Sequence, residues 1–235
     1  QIGSGHGFRR GNHHRLQNGR GQISQDAIAQ DRRIARPGVY HDKGDLDQAI
    51  AGYNQVIELA PEDASVYYSR GNVWIAKGDL DRALADYTEA IRRNPEHAAA
   101  YNNRGNVYES KGDLDQAIAD YTRAIELGPQ DTHACYNRGL AYIKKSDFDQ
   151  ALADFNMTLE LNVDNSQLYK SRGFVHAMLD NYPAAIADYE VYLAWLVDHS
   201  PDEIHLIEQC RSWIEALRRG ENLFTPEEPE GLQNE

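Results

Sequence analysis

Apolar positions along the chain fall in pairs of stripes. In one stretch Tyr101, Gly105 and Tyr108 recur at helical spacing; after a break at Gly112 a second stripe holds Leu114, Ala117, Ile118, Tyr121 and Ile125. Each stripe has the 3.6-residue period of a helix with one face in a core. Gly112 lies between them, where a residue free to adopt left-handed backbone ends the first helix. Asp113 follows as N-cap, and Gln116, three residues on, is placed to return the bond as a capping box. The same Asp-to-Gln spacing recurs at Asp45–Gln48 and Asp147–Gln150. Pro129 stops the second helix. The pattern predicts a helical hairpin with small residues, Gly105 and Ala117, at the close approach and aromatic rings beside them. Enlarging Ala117 to Leu is expected to overpack that contact by about 1–3 kcal/mol.

The hairpin is written several times. KGDLDQAIA begins at Lys43 and again at Lys111, and KGDLDRALA begins midway at Lys77. A step of 34 residues relates Gly71, Gly105, Gly139 and Gly173, then Ala49, Ala83, Ala117, Ala151 and Ala185. It also relates the aromatics Tyr53, Tyr87, Tyr121, Phe155 and Tyr189, and the prolines Pro61, Pro95 and Pro129. A fixed period of this length marks stacked supersecondary units, each meeting the same neighbours. The repeated string is therefore structural, not catalytic.

This pattern of Tyr, Gly, Tyr, Ala, Tyr, Ala and Pro resembles the tetratricopeptide repeat, a helix–turn–helix unit, over roughly residues 38–197. The resemblance implies an all-α, right-handed α-solenoid. Its expected units are a degenerate first repeat (24–63), four full repeats (64–97, 98–131, 132–165 and 166–199) and a capping helix (200–220). The family's first helices line a concave groove that binds extended peptides or helices. Carried onto this chain, the groove residues are Tyr68 and Asn72, then Asn102, Asn103 and Asn106, then Tyr136, Asn137 and Lys144, and last Lys170 and Phe174. Ser69, Ile75, Glu109, Leu140, Ser171 and Met178 complete the projected lining, and of these sixteen positions only Glu109, Lys144 and Lys170 are charged. A nearly neutral, Asn-rich surface suits a peptide backbone, because a carboxamide both donates and accepts. Tyr68 and Tyr136 add contact area at low entropic cost. The arrangement is similar to the asparagine ladder of the O-linked N-acetylglucosamine transferase repeats. It departs from the repeats that clamp a terminal carboxylate: Asn72 and Asn106 fit, but paired groove lysines are missing. The alternative is that these asparagines are ordinary solvated residues.

In place of the apolar residue usual in the family, Arg precedes each repeat glycine: Arg70, Arg104, Arg138 and Arg172. Sixteen residues after each stands an acid, Asp86, Asp120, Asp154 and Asp188. The expectation is four Arg–Asp bridges joining the two helices of a unit; the rival reading is four solvated arginines.

Pro37 and Gly38 would break the first helix of the first unit, leaving the face of Leu46, Ile50, Tyr53 and Ile57 to be covered by the upstream segment or by a second chain. A short helix is expected at 24–36, capped by Ser24, after a flexible Gly/Arg-rich segment (1–23). The chain opens on Gln1 rather than Met, which leaves room for sequence upstream of it. At the other end Ser200 is expected to cap a helix with Pro201 at its first position and Glu203 completing a capping box. The acidic tail from Glu221 is expected to be disordered.

Composition narrows the function. The 235 residues carry a formal charge of −13, yet residues 1–36 hold seven Arg and two acids, so the remainder is strongly acidic and ill suited to a nucleic-acid backbone. No apolar run reaches membrane-spanning length. Cys135 and Cys210 are too far apart in sequence for a zinc motif; they fit a reducing, cytoplasmic setting. His13 and His14 have no Cys or acid at ligand spacing, and His97, His133 and His176 belong to the turns and helices of different units. No metal, cofactor or catalytic residue is expected, and none of the common hydrolase or phosphate-loop motifs occurs. The expected function is non-enzymatic binding of a protein or peptide in the groove. A self-associating scaffold built on the incomplete first repeat is the second reading, and an enzyme, or an accessory domain of one, the third.

Overall fold

The computed structural model describes residues 43–161 and 166–224. The segments expected at 1–23 and 24–36, and the Pro37–Gly38 break, lie outside the described residues. The described chain holds ten helices and is all-α. They are α1 (Lys43–Leu59), α2 (Ala64–Ala76), α3 (Leu80–Arg93), α4 (Ala98–Ser110), α5 (Leu114–Leu127), α6 (Thr132–Lys144), α7 (Phe148–Glu160), α8 (Ser166–Met178), α9 (Tyr182–His199) and α10 (Ile204–Arg218). They divide into two compact units, meeting in sequence at Pro95 and Glu96.

In the first unit α2 and α3 form a hairpin and α1 packs on α2. Leu46, Ala49, Ile50 and Tyr53 of α1 are buried in a cluster with Val66 and Val73 of α2, and Val56, Ile57 and Trp74 pack at its edge. In the second unit the hairpins α4–α5, α6–α7 and α8–α9 follow one another, and α10 packs on α9. Each second helix also meets the next first helix, and α6 touches both α4 and α8. The first helices of the second unit thus share one face.

The hairpin turn shows why the repeated string is kept. Gly112 has φ +80°, and the helix closes through Gly112 N–H to Glu109 C=O and Asp113 N–H to Tyr108 C=O, both 2.9 Å. Asp113 then caps α5, accepting from the Gln116 N–H at 3.3 Å. This corrects the expected capping box. The Asp113 N–H is already engaged by Tyr108, so only the Asp half of the box forms. Ser146 (φ +59°) and Asp180 (φ +56°) hold the same left-handed place in later repeats, a conformation that costs a non-glycine residue about 1–2 kcal/mol.

Rings fix the distance between paired helices. A Cβ on Gly105 would lie 2.7 Å from Cε1 of Tyr121, and one on Gly139 would lie 2.6 Å from Cε1 of Phe155. The aromatic therefore packs directly on glycine backbone, and its repeat at each step follows from that contact.

The cap departs from expectation. Pro201 and Asp202 form a turn, α10 begins at Ile204, and Glu203 is its N-cap without a side-chain cap bond. Ser200 N–H instead closes α9 onto Leu196 C=O at 2.9 Å, so Ser200 belongs to the preceding helix end. At the start of the tail expected to be disordered, Asn222 and Phe224 pack against the last repeat, and residues 225–235 lie outside the described ones.

Candidate functional site

The Arg–Asp pairs hold the helices that carry the site. Arg104 Nε and Nη2 donate to the two carboxylate oxygens of Asp120, each at 2.7 Å. Arg70–Asp86, Arg138–Asp154 and Arg172–Asp188 repeat this fork at 2.6–2.9 Å. The aspartates are buried, and hydrogen bonding to them raises the pKa of each arginine above its usual value. The third nitrogen of the guanidinium makes a link that sequence reasoning missed. Arg70 Nη1 donates to Asn54 Oδ1 at 2.5 Å, Arg138 Nη1 to Thr122 Oγ1 at 2.9 Å, and Arg172 Nη1 to Asn156 Oδ1 at 2.9 Å. Each of these three arginines thus bonds the second helix of its own repeat and that of the repeat before. The signal was present: a polar residue follows the repeat aromatic at Asn54, Thr122 and Asn156.

On the shared face of α4, α6 and α8, side-chain amides bridge successive repeats. Asn137 Nδ2 on α6 donates to Asn102 Oδ1 at 3.2 Å and Asn106 Oδ1 at 3.1 Å on α4, and Asn102 Nδ2 donates to Asn103 Oδ1 at 3.3 Å. Beside them Glu109 accepts from Lys144 Nζ at 2.8 Å and from the Tyr121 hydroxyl at 2.7 Å. That hydroxyl also faces Asn106 Oδ1 at 2.7 Å. One proton therefore meets two acceptors, and the charged carboxylate is the stronger claimant. Burial, and then the neighbouring Glu109 charge, raise the Tyr121 pKa well above that of a free phenol. Farther along, Tyr136 tilts against Phe155 with centroids 5.7 Å apart, and its hydroxyl meets Ser171 Oγ at 3.2 Å.

Asn102, Asn103, Asn137, Tyr136 and Lys144 are half-buried on this face, and Asn106 is exposed. In the first unit Tyr68 is half-buried, 5.9 Å from the Tyr87 ring, and exposed Asn72 accepts from the Tyr87 hydroxyl at 2.8 Å. Three expected lining residues are not open: Lys170, Ser171 and Phe174, with Ser171 2% exposed. Lys170 is 6% exposed, its ammonium 5.8 Å from the Tyr192 ring centroid. Phe174 is 2% exposed, because Phe224 packs edge-on against it at 5.5 Å. The polar bonds among the asparagines also differ from a row of independent clamps: the side chains are already joined to one another.

Among the described residues no group of three or more His, Cys, Asp or Glu is arranged to hold a metal ion. Burial pushes the Cys135 thiol up to about 11 and the Cys210 thiol up to about 12, far from a nucleophilic thiolate at neutral pH. No helix among the described residues is long and apolar enough to cross a membrane.

Helical hairpins joined in this way define an all-α helical-repeat protein. Residues 75–132 and 133–165 match the description tetratricopeptide repeat, and residues 39–74 match TPR repeat. The chain belongs to the tetratricopeptide repeat family. No curated protein matches it. Among solved structures, it is similar to YrrB, described as a TPR protein with an unusual peptide-binding site, at 24% identity and TM-score 0.60, over 72% of this chain and 84% of that one. It is similar to MamA from Desulfovibrio magneticus RS-1 at 17% identity and TM-score 0.66, over 76% and 97% of the two chains. PilF of Pseudomonas aeruginosa matches at 17% identity and TM-score 0.64, over 92% and 100%. These likenesses concern the fold. Family and fold together support a protein-interaction scaffold.

Proposed function

We propose that the α4–α6–α8 face binds an extended peptide segment of a partner protein. The observation that carries this reading is the amide of Asn137 spanning Asn102 and Asn106. It fixes the side-chain orientations of three asparagines on two successive repeats, and those bonds engage neither Asn137 Oδ1 nor Asn106 Nδ2. An acceptor and a donor held in place beside each other match the N–H and C=O of a peptide backbone. The Lys144–Glu109 pair at the edge supplies one charge of each sign. Backbone recognition of this kind sets little demand on ligand sequence. The peptide-binding site named for YrrB supports the reading by analogy of fold.

Affinity of the full-length chain for peptides selected from a random library tests this. Asn137→Ala is expected to weaken binding by about tenfold, the equivalent of one or two good hydrogen bonds, with folding intact by circular dichroism. Unchanged affinity in Asn137→Ala and Asn106→Ala would exclude the asparagine face as the binding surface.

A further inference from the structure

The fourth full repeat differs from the other full repeats at its ring position. Four positions in register face the repeat aromatic: Asn72, Asn106, Leu140 and Phe174. The first two accept from the hydroxyls of Tyr87 and Tyr121. At the third, apolar Leu140 is matched with Phe155, which has no hydroxyl. At the fourth the match fails. Tyr189 keeps its hydroxyl, but Phe174 stands where the amide would be, and the Tyr189 oxygen is buried with no hydrogen-bond partner. Such a group costs free energy unless something supplies an acceptor.

The chain's own C-terminal segment closes this place. Phe224 stacks on Tyr189 with centroids 5.8 Å apart, meets Phe174 edge-on, and lies 5.4 Å from Trp213 of α10. Asn222 anchors it, donating from Nδ2 to the Ala177 carbonyl at 2.9 Å and accepting from the Phe224 N–H at 3.1 Å. Glu221 and Leu223 on either side are exposed. The contact is thus one aromatic side chain and one amide two residues before it, joined in a local turn by the Phe224 N–H to Asn222 Oδ1 bond. It satisfies the rings and leaves the hydroxyl unserved.

We propose that the Phe174–Tyr189–Trp213 cluster is a docking site for a partner's short segment of the form Asn-x-aromatic, and that residues 222–224 occupy it in its absence. This rests on the peptide-binding reading above and gives it a ligand chemistry. Tyr189 offers the incoming segment a donor that Phe224 does not use. A ligand must displace Phe224, so its apparent affinity is reduced by the fraction of time the site stands open.

The test uses the full chain and a fluorescein-labelled nonapeptide of residues 220–228, with a control peptide carrying Phe224→Ala. Anisotropy titration is expected to show Phe224→Ala protein binding the Phe peptide at least about tenfold more tightly than wild type, and the control peptide not at all. Asn222→Ala protein, which loses only the anchor, is read in the same way should Phe224→Ala fail to fold. Equal affinity of wild-type and folded variant proteins for the Phe peptide overturns the proposal. So does a wild-type dimer that Phe224→Ala dissolves in light scattering, because the occupant would then be the tail of a second copy. Library peptides whose binding depends on Asn137 but ignores Phe224→Ala would leave the asparagine face standing and remove this site alone.

Discussion

The second and fourth full repeats, α4–α5 and α8–α9, are built to one plan and finished differently. Both carry the Arg–Asp fork, both seat an aromatic ring on a glycine, and both keep a tyrosine at the ring position. In the earlier repeat the ring ends in a network: Tyr121 meets Asn106 and Glu109, and Asn137 extends the amides to the next repeat. In the later one Tyr189 ends on nothing and is covered by Phe224. The shared parts are the ones every unit needs for stacking. The differing parts lie on the first-helix face, where a binding surface can vary without disturbing the stack.

That division makes the shared parts the costliest to alter. Charge reversal at Arg104 or Asp120 alone, by Arg104→Glu or Asp120→Arg, is expected to lose about 3–5 kcal/mol, since the remaining charge is left largely buried. The double reversal should recover much of it in urea unfolding, and an exposed, independent pair would instead give additive losses under about 1 kcal/mol each. Gly105→Ala should cost about 1–3 kcal/mol through its clash with the Tyr121 ring. Gly173→Ala should cost less, its nearest atom being Cε1 of Tyr189 at 3.2 Å.

The differing parts give a sharper contrast. Tyr121→Phe removes a hydroxyl between two acceptors and should destabilise by about 1–2 kcal/mol, whereas Tyr189→Phe removes a buried, unpartnered one and should be neutral or stabilising. Equal losses in the two variants, measured by thermal and urea unfolding, would show that the two hydroxyls stand in equivalent environments.

A smaller difference concerns pH. His176 takes the place of Tyr108 and Tyr142, and burial holds its imidazole below the usual pKa, with Arg172 adding to the lowering and Asp188 opposing it. The unfolded chain then binds a proton that the folded chain refuses, so stability should fall as pH drops below about 6.5. His176→Tyr should flatten the Tm profile between pH 7.5 and 5.5. Smallest of all, Ser146→Gly should gain up to about 1 kcal/mol at its left-handed turn, less the entropy that glycine adds to the unfolded chain.

Periodic features were the legible ones. Helix pairs, left-handed turns and the Arg–Asp spacing all follow from contacts that recur at each step, so one repeat interprets the next. Ends and exceptions were harder, because their partners occur once. Ser200 carries the cap signature yet closes α9, since Pro201 and Asp202 turn before α10 begins. Phe224 sits in an acidic segment whose composition reads as solvated, and its contacts with Phe174, Tyr189 and Trp213, with the Asn222 anchor on Ala177, hold it in place. The asparagines were readable as a surface but not as a joined network, since Asn137 reaches Asn102 and Asn106 only after α4 and α6 are packed. The mismatch of Tyr189 with Phe174, by contrast, can be read from the 34-residue step alone once Tyr87–Asn72 and Tyr121–Asn106 are recognised as pairs.

Titration of a library-selected peptide into the full-length chain, wild type against Asn137→Ala, tests most directly whether the joined asparagines hold another chain. On the proposed reading, binding weakens by about tenfold in the variant while its Tm stays within a few degrees of wild type. Equal binding by a folded Asn137→Ala protein would contradict it.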